Sequence, residues 1–226
     1  MAYKKLFEPG RIGGLTIRNR ASCPPWAQTW RTFGATPHPR LIAYYTERAK
    51  GGIGLIINEY TGVDDVDSIP TQHNLRMAQD YNVQEAEELT RSVHAYGAKI
   101  FAQLHHGGAT SKSAFTGRQN LSPSGVPMAP GGEVPREMTL EDIKRVQEKF
   151  IAAAVRCKKA GYDGCGAPRR PLLSDRPSSS ASTTTAAPTR TAAPWRTAAA
   201  SSTRSSPASE PSWGGIPSRS ASAATR

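Results

Sequence analysis

The sequence predicts a parallel α/β fold over residues 1–164, and three observations carry that reading. Candidate strands recur at Arg18–Cys23, Ile53–Tyr60 and Lys99–His106, each followed by a stretch with helical hydrophobic spacing. Each helical stretch stops at glycine, namely Gly51-Gly52, Gly97 and Gly161, before the next run begins. The run Ile53–Tyr60 is nearly all apolar and β-branched, which is how a strand buried on both faces reads. A series of strand-plus-helix units builds a parallel sheet, and the spacing of the units fits an eight-fold barrel or a doubly wound sheet equally well. No GxGxxG follows any of the strands, which counts against a nucleotide-binding doubly wound sheet.

In chain order, Phe7–Gly10 and Ile12–Ile17 predict a small hairpin with glycine turns ahead of the first strand. Pro24-Pro25 ends that strand, because neither residue can donate to a ladder. Pro39–Ala49 reads as a helix with Leu41, Tyr44, Tyr45 and Ala49 toward the core, leading into the strand IGLIINEY at Ile53–Tyr60. After a polar segment, Asp64–Gln79, a capping box of Asn82 and Glu85 opens a helix in which Val83, Ala86, Leu89, Val93 and Tyr96 fall at helical spacing. His94 within it is a packing or surface residue. The strand KIFAQLHH at Lys99–His106 then delivers polar groups at its C-terminal end, where a long Gly-, Pro- and Ser-rich loop, Gly107–Met138, overhangs it. Thr139 caps the third helix with Asp142 at its third position, and Ile143, Val146, Phe150, Ala153, Cys157 and Ala160 form its inner stripe. Tyr162-Asp163-Gly164 should open a fourth strand.

Composition narrows the function classes. The net charge of +11 invites a nucleic-acid partner, but +6 of it lies in residues 165–226, leaving +5 spread among charges of both signs. Three cysteines, Cys23, Cys157 and Cys165, lack CxxC spacing and argue against a disulfide framework or zinc module. No apolar run is long enough to span a membrane and the N-terminus lacks the apolar core of a signal peptide, so a soluble cytoplasmic protein is expected.

The segments LFEPGRIGGLTIRNR, PPWA, ERAKGGIGLIINEYTGV, AYGAKIFAQLHHGGA, LSPSGVP and KKAGYDG together resemble the N-terminal part of the NADH:flavin oxidoreductases, the old yellow enzyme family, and particularly its 2,4-dienoyl-CoA reductase and bile-acid-inducible branches. The resemblance implies a (β/α)8 TIM barrel carrying FMN at the C-terminal ends of its strands, reduced by NADH or NADPH, with an enone or enoyl substrate in the intact parent. It assigns Pro24, Pro25, Trp26 and Ala27 to the first-strand segment along the flavin. It sets Tyr60 at a position usually held by a small residue, and Gln103 at the glutamine that bonds the flavin's pyrimidine edge. An amide offers both a donor and an acceptor to that edge, which an ionised carboxylate cannot. Trp26 and Tyr60 are bulky for their positions and imply a narrowed pocket. His105 and His106 are a structural strand-end feature, since the family's substrate-binding histidines belong to the fourth strand.

The family continues after YDG with VELHGAH, bearing those histidines, and later with a YNxRTDxYGGSxENR segment, whereas residues 165–226 are mostly Ser, Thr, Ala, Pro and Arg, with Leu172, Leu173, Ile216 and two Trp as the main larger apolar groups. Such a composition cannot offset chain entropy by burial, and a disordered tail is expected. Back-translated and read out of frame, Cys165–Pro171 can spell VELHGAH and Thr183–Ala198 can spell YNDRRTDAYGGSMENR. The tail therefore reads as an out-of-frame translation of a family gene, leaving a truncated, inactive flavoprotein that lacks the substrate half. No catalytic residue and no metal ligand is assigned. The competing reading is a non-catalytic half-barrel whose Arg-rich tail binds an anionic partner; nucleic acid and membrane are otherwise not expected as partners.

Overall fold

The computed structural model describes residues 3–28, 30 and 37–166, so the expectation of a disordered tail from residue 167 onward lies outside the described residues. The chain opens with a short helix α1 (Lys4–Phe7), then the predicted hairpin of β1 (Gly10–Ile12) and β2 (Leu15–Ile17), paired antiparallel. The first barrel-type strand is only β3 (Ser22–Cys23), shorter than the run Arg18–Cys23 expected to form it. Arg18, at the start of that run, instead donates to the carbonyls of Tyr96, Ala49 and Ile53 at 2.6, 2.7 and 2.9 Å, tying hairpin to helix ends.

Helix α2 (Pro39–Lys50) has proline at its first position and the His38 ring accepting from Arg40 N, and it buries Leu41, Tyr45 and Ala49. It leads to β4 (Leu55–Gly62), which begins two residues later than Ile53 because Gly54 lies against Asn19. Within the segment read as a polar loop, β5 (Leu75–Arg76) pairs in parallel with the end of β4. Helix α3 (Tyr81–His94) has Asp80 at its N-cap, two residues ahead of the expected cap Asn82. Asn82 nonetheless works locally, accepting from Gln79 N and donating to Glu85. The central strand β6 (Lys99–His105) follows.

The Gly107–Met138 segment is more ordered than its composition suggests. It contains a 3-10 turn at Gly108–Thr110, the short helix α4 (Ser113–Thr116), and a small parallel pair of β7 (Leu121–Ser122) with β8 (Arg136–Glu137). Helix α5 (Leu140–Lys159) carries the predicted capping box, Thr139 and Asp142 each bonding the other's backbone N–H. Gly161, at φ 84°, ends it in the left-handed region. Strand β9 (Gly164–Gly166) then adds beside β6, so Cys165 and Gly166 belong to the sheet and not to the tail. Gly164 is required by close approach, since a Cβ there would stand 2.7 Å from the Phe101 ring.

The main sheet runs β3-β4-β6-β9, all parallel, with β5 on the edge of β4 beyond β3. Strand alternation sends Ile100, Ala102 and Leu104 of β6 into the core under α2, α3 and α5, where they meet Leu41, Tyr45, Leu89, Val93, Ala153 and Cys157. Phe101, Gln103 and His105 point to the opposite face. Cys157 is a buried core residue as predicted, and all three cysteines are free. No helix among the described residues is long and apolar enough to cross a membrane.

Candidate functional site

The C-terminal half of β4 is built around an irregularity. Ile57 pairs with Phe101 and Tyr60 with Gln103, so three steps along β4 oppose two along β6. The extra residue lets two consecutive polar side chains, Asn58 and Glu59, both become fully buried. Asn58 donates to the Tyr162 hydroxyl at 3.0 Å and accepts from Gln103 N at 3.3 Å. Glu59 N donates to the Tyr45 hydroxyl at 2.8 Å, and the Glu59 carboxylate accepts from Gln28 N at 2.5 Å. Burial pushes both phenols well above the ordinary tyrosine range, so they stay neutral donors and acceptors. The bulge thus fixes Gln103 through its own backbone and anchors the loop that follows β3.

That loop carries Pro24, Pro25, Trp26 and Ala27. Pro25 is half-buried, the other three are exposed, and Trp26 has 71% of its surface free. On the adjoining strands, the register brings Tyr60 directly beside Gln103 on the face away from the helices. The Tyr60 hydroxyl shares a 3.0 Å hydrogen bond with Thr71 Oγ1. The Gln103 side chain is half-buried, and among the described residues its amide makes no hydrogen bond. An amide with a free donor and acceptor on the inner face of a parallel sheet suits the edge of a heterocycle such as a flavin.

His105 lies two residues beyond Gln103, on the same face, its ring tilted against Tyr60 with centroids 5.1 Å apart. It is buried, and neither ring nitrogen has a partner among the described residues. Burial, with His106 adding to it, holds its pKa down to about 4, so the ring is neutral near pH 7. His106 differs. Its Nδ1 accepts from Gly108 N, and its Nε2 stands 3.5 Å from Asp64, which also takes Lys149 at 2.7 Å. Burial alone would raise the Asp64 pKa, but the nearby His106 ring and the hydrogen bond from Lys149 hold it well below the usual carboxylate range. The structural reading of the histidine pair fits His106, whereas His105 has its polar atoms unspent.

Of the six residues assigned by resemblance, Tyr60 and Gln103 meet side by side, and Pro24, Pro25, Trp26 and Ala27 form a run at the end of the neighbouring strand. Reading the sequence missed Asn58 and Glu59. The available signal was two polar residues interrupting the apolar run IGLIINEY. No group of three or more metal-ligating side chains is gathered among the described residues.

Residues 5–166 match the profile of the NADH:flavin oxidoreductase / NADH oxidase family. The chain is 43% identical over 163 residues to an NADH oxidase of Thermoanaerobacter brockii, covering 72% of this chain and 25% of that protein. It is 35% identical over 161 residues to an NADPH dehydrogenase of Bacillus velezensis, covering 71% and 46% respectively. In structure it is similar to the Old Yellow Enzyme of Pichia sp. AKU4542, with a TM-score of 0.66 and 26% identity over 72% of this chain and 45% of that one. An old yellow enzyme homologue from Zymomonas mobilis gives a TM-score of 0.64 at 30% identity, covering 72% and 48%. The chain spans between a quarter and a half of the length of these relatives. Its described sheet and helices are accordingly part of an Old Yellow Enzyme barrel, and the chain belongs to the NADH:flavin oxidoreductase / NADH oxidase family.

Proposed function

We propose that this chain carries the flavin-edge portion of an FMN-dependent ene reductase. When bound, FMN supplies the relay of a hydride from NADH or NADPH to an electron-poor C=C bond. The observation that carries the reading is the unpartnered Gln103 amide, held by Asn58 beside Tyr60 at the C-terminal end of a parallel sheet. Gln103 offers the flavin's pyrimidine edge one donor and one acceptor. Pro24, Pro25, Trp26 and Ala27 form a stiff wall along the ring system, with two prolines limiting its movement. Tyr60, fixed by Thr71, narrows the pocket beside Gln103 and excludes water from that flank. The substrate is a small enone or enoyl compound. The names carried by the relatives above do not single out the 2,4-dienoyl-CoA reductase branch.

The same reading makes residues 165–226 the out-of-frame remainder of the gene, because their degenerate codons, read out of frame, can spell the histidine-bearing fourth-strand words. Turnover therefore belongs to a frame-restored barrel and not to the chain as translated. Two measurements test this. The nucleotide sequence across the codons for Gly164–Arg226 should encode VELHGAH and the YNDRRTDAYGGSMENR segment out of frame; other frames without those words would sink the idea. The frame-restored protein should purify with FMN and consume NADH or NADPH in the presence of an enone, whereas the chain as given should not. A restored protein that binds no flavin would contradict the assignment.

A further inference from the structure

A concave region is lined by the turn after α4, the β4–β5 loop, β7, β8 and the first half of α5. It is a cleft of about 530 Å³, and Arg118, Arg136, Arg145 and Lys149 supply its cations. Three carboxylates face them, but unequally. Asp142 is committed to Arg136 at 2.9 Å and Arg145 at 2.8 Å, bonds that hold its carboxyl well below the ordinary range. Asp64 is fully buried and committed to Lys149 and His106. Asp67 meets Arg118, Arg145 and Lys149 only at 3.6, 3.4 and 3.7 Å, all longer than a charge-assisted hydrogen bond. The wall of the cleft is therefore cationic, with Asp67 as its one loosely engaged acid.

The spacing is informative. Arg118 and Arg145 approach one carboxylate from different segments, so two guanidinium groups lie within reach of a single small anion. Arg118 is 65% exposed, and its 3.6 Å approach to Asp67 leaves its forked donors open for bidentate bonding. A phosphate carries more charge and more acceptor oxygens than a carboxylate, and it can bridge two guanidinium groups while Asp67 remains on Lys149. We propose that this cleft binds the phosphate of a nucleotide or of inorganic phosphate, as a site separate from the Gln103 face and independent of the flavin reading.

The test is calorimetric titration of the full chain at low ionic strength with inorganic pyrophosphate, with adenosine 2′,5′-bisphosphate, and with adenosine as a neutral control. Both anions should bind saturably and adenosine should not. Affinity should fall as salt rises, and Arg118→Ala should weaken it about tenfold, the loss expected for one charge-assisted contact. Lys5→Ala, an exposed cation on α1 that does not line the cleft, should leave binding unchanged, and circular dichroism should report the same fold for both variants. Tighter binding of the bisphosphate identifies a nucleotide ligand, and equal binding identifies phosphate alone. No saturable binding of either anion, or equal losses in Arg118→Ala and Lys5→Ala, would overturn the proposal.

Discussion

The two ends of the parallel sheet are treated differently. At the N-terminal end nearly every polar group is spent on holding the chain together. Arg18 donates to three carbonyls from α2, its following turn and the end of α3. Asp163 receives His94 at 2.6 Å, Lys99 at 2.8 Å and Ile100 N at 2.9 Å, joining three segments at one carboxylate. At the C-terminal end, Gln103 and His105 keep unspent donors and acceptors in half-buried and buried positions. Unsatisfied buried polar atoms cost stability, so their concentration at one end marks where the fold gives up stability for binding.

That contrast can be broken from either side. The largest expected effect is at His105, whose folded-state pKa of about 4 lies below its ordinary value of 6.5. A depressed value means its contribution is intact above pH 6.5 and is lost as pH falls toward 4, by about 3 kcal/mol over that window. In His105→Leu, urea unfolding should show that acid-side slope flattened and stability near pH 7 equal or higher; an unchanged slope would mean the ring is solvated. Next, Asp163→Ala should cost about 2 kcal/mol, because it strands the His94 and Lys99 groups and Ile100 N. Burial raises the Asp163 pKa, but bonds from His94 and Lys99 outweigh it and set it below the ordinary 3.8. Its contribution is thus present above that value and fades only as pH falls further, below the window in which His105 titrates. The smallest change in stability should come from Gln103→Leu, within about 0.5 kcal/mol, since no protein partner is lost with the amide.

The elements that sequence revealed are those whose causes are local. The Thr139–Asp142 capping box and the stripe of α5 need only residues within a few turns of one another, and both form as read. The apolar core of β6 follows from alternation alone. What escaped depends on distant partners. The bulge at Asn58 and Glu59 is supported by the Tyr162 hydroxyl, 104 residues away, and by Tyr45 on another element. Strands β5, β7 and β8 are two residues each, too short to leave any periodic pattern, and were hidden in polar loops. Gln103 became legible only through family resemblance, since by itself a lone glutamine in an apolar strand reads as an internally bonded core residue. The different duties of His105 and His106 could not be read at all from two identical neighbours; the 3.5 Å approach of Asp64 to one of them separates the pair.

The central claim is that the C-terminal face around Gln103 is a flavin edge and the N-terminal face is scaffold. The most direct measurement is FMN titration, by quenching of flavin fluorescence, of the frame-restored barrel and of its Gln103→Leu and Asp163→Ala variants at a temperature where each is folded. The account predicts that Gln103→Leu weakens FMN binding about tenfold with stability unchanged, as expected when a flavin edge loses its hydrogen-bonding partner. It predicts that Asp163→Ala loses stability but binds FMN normally once folded. Equal FMN affinity in the parent and Gln103→Leu would contradict it.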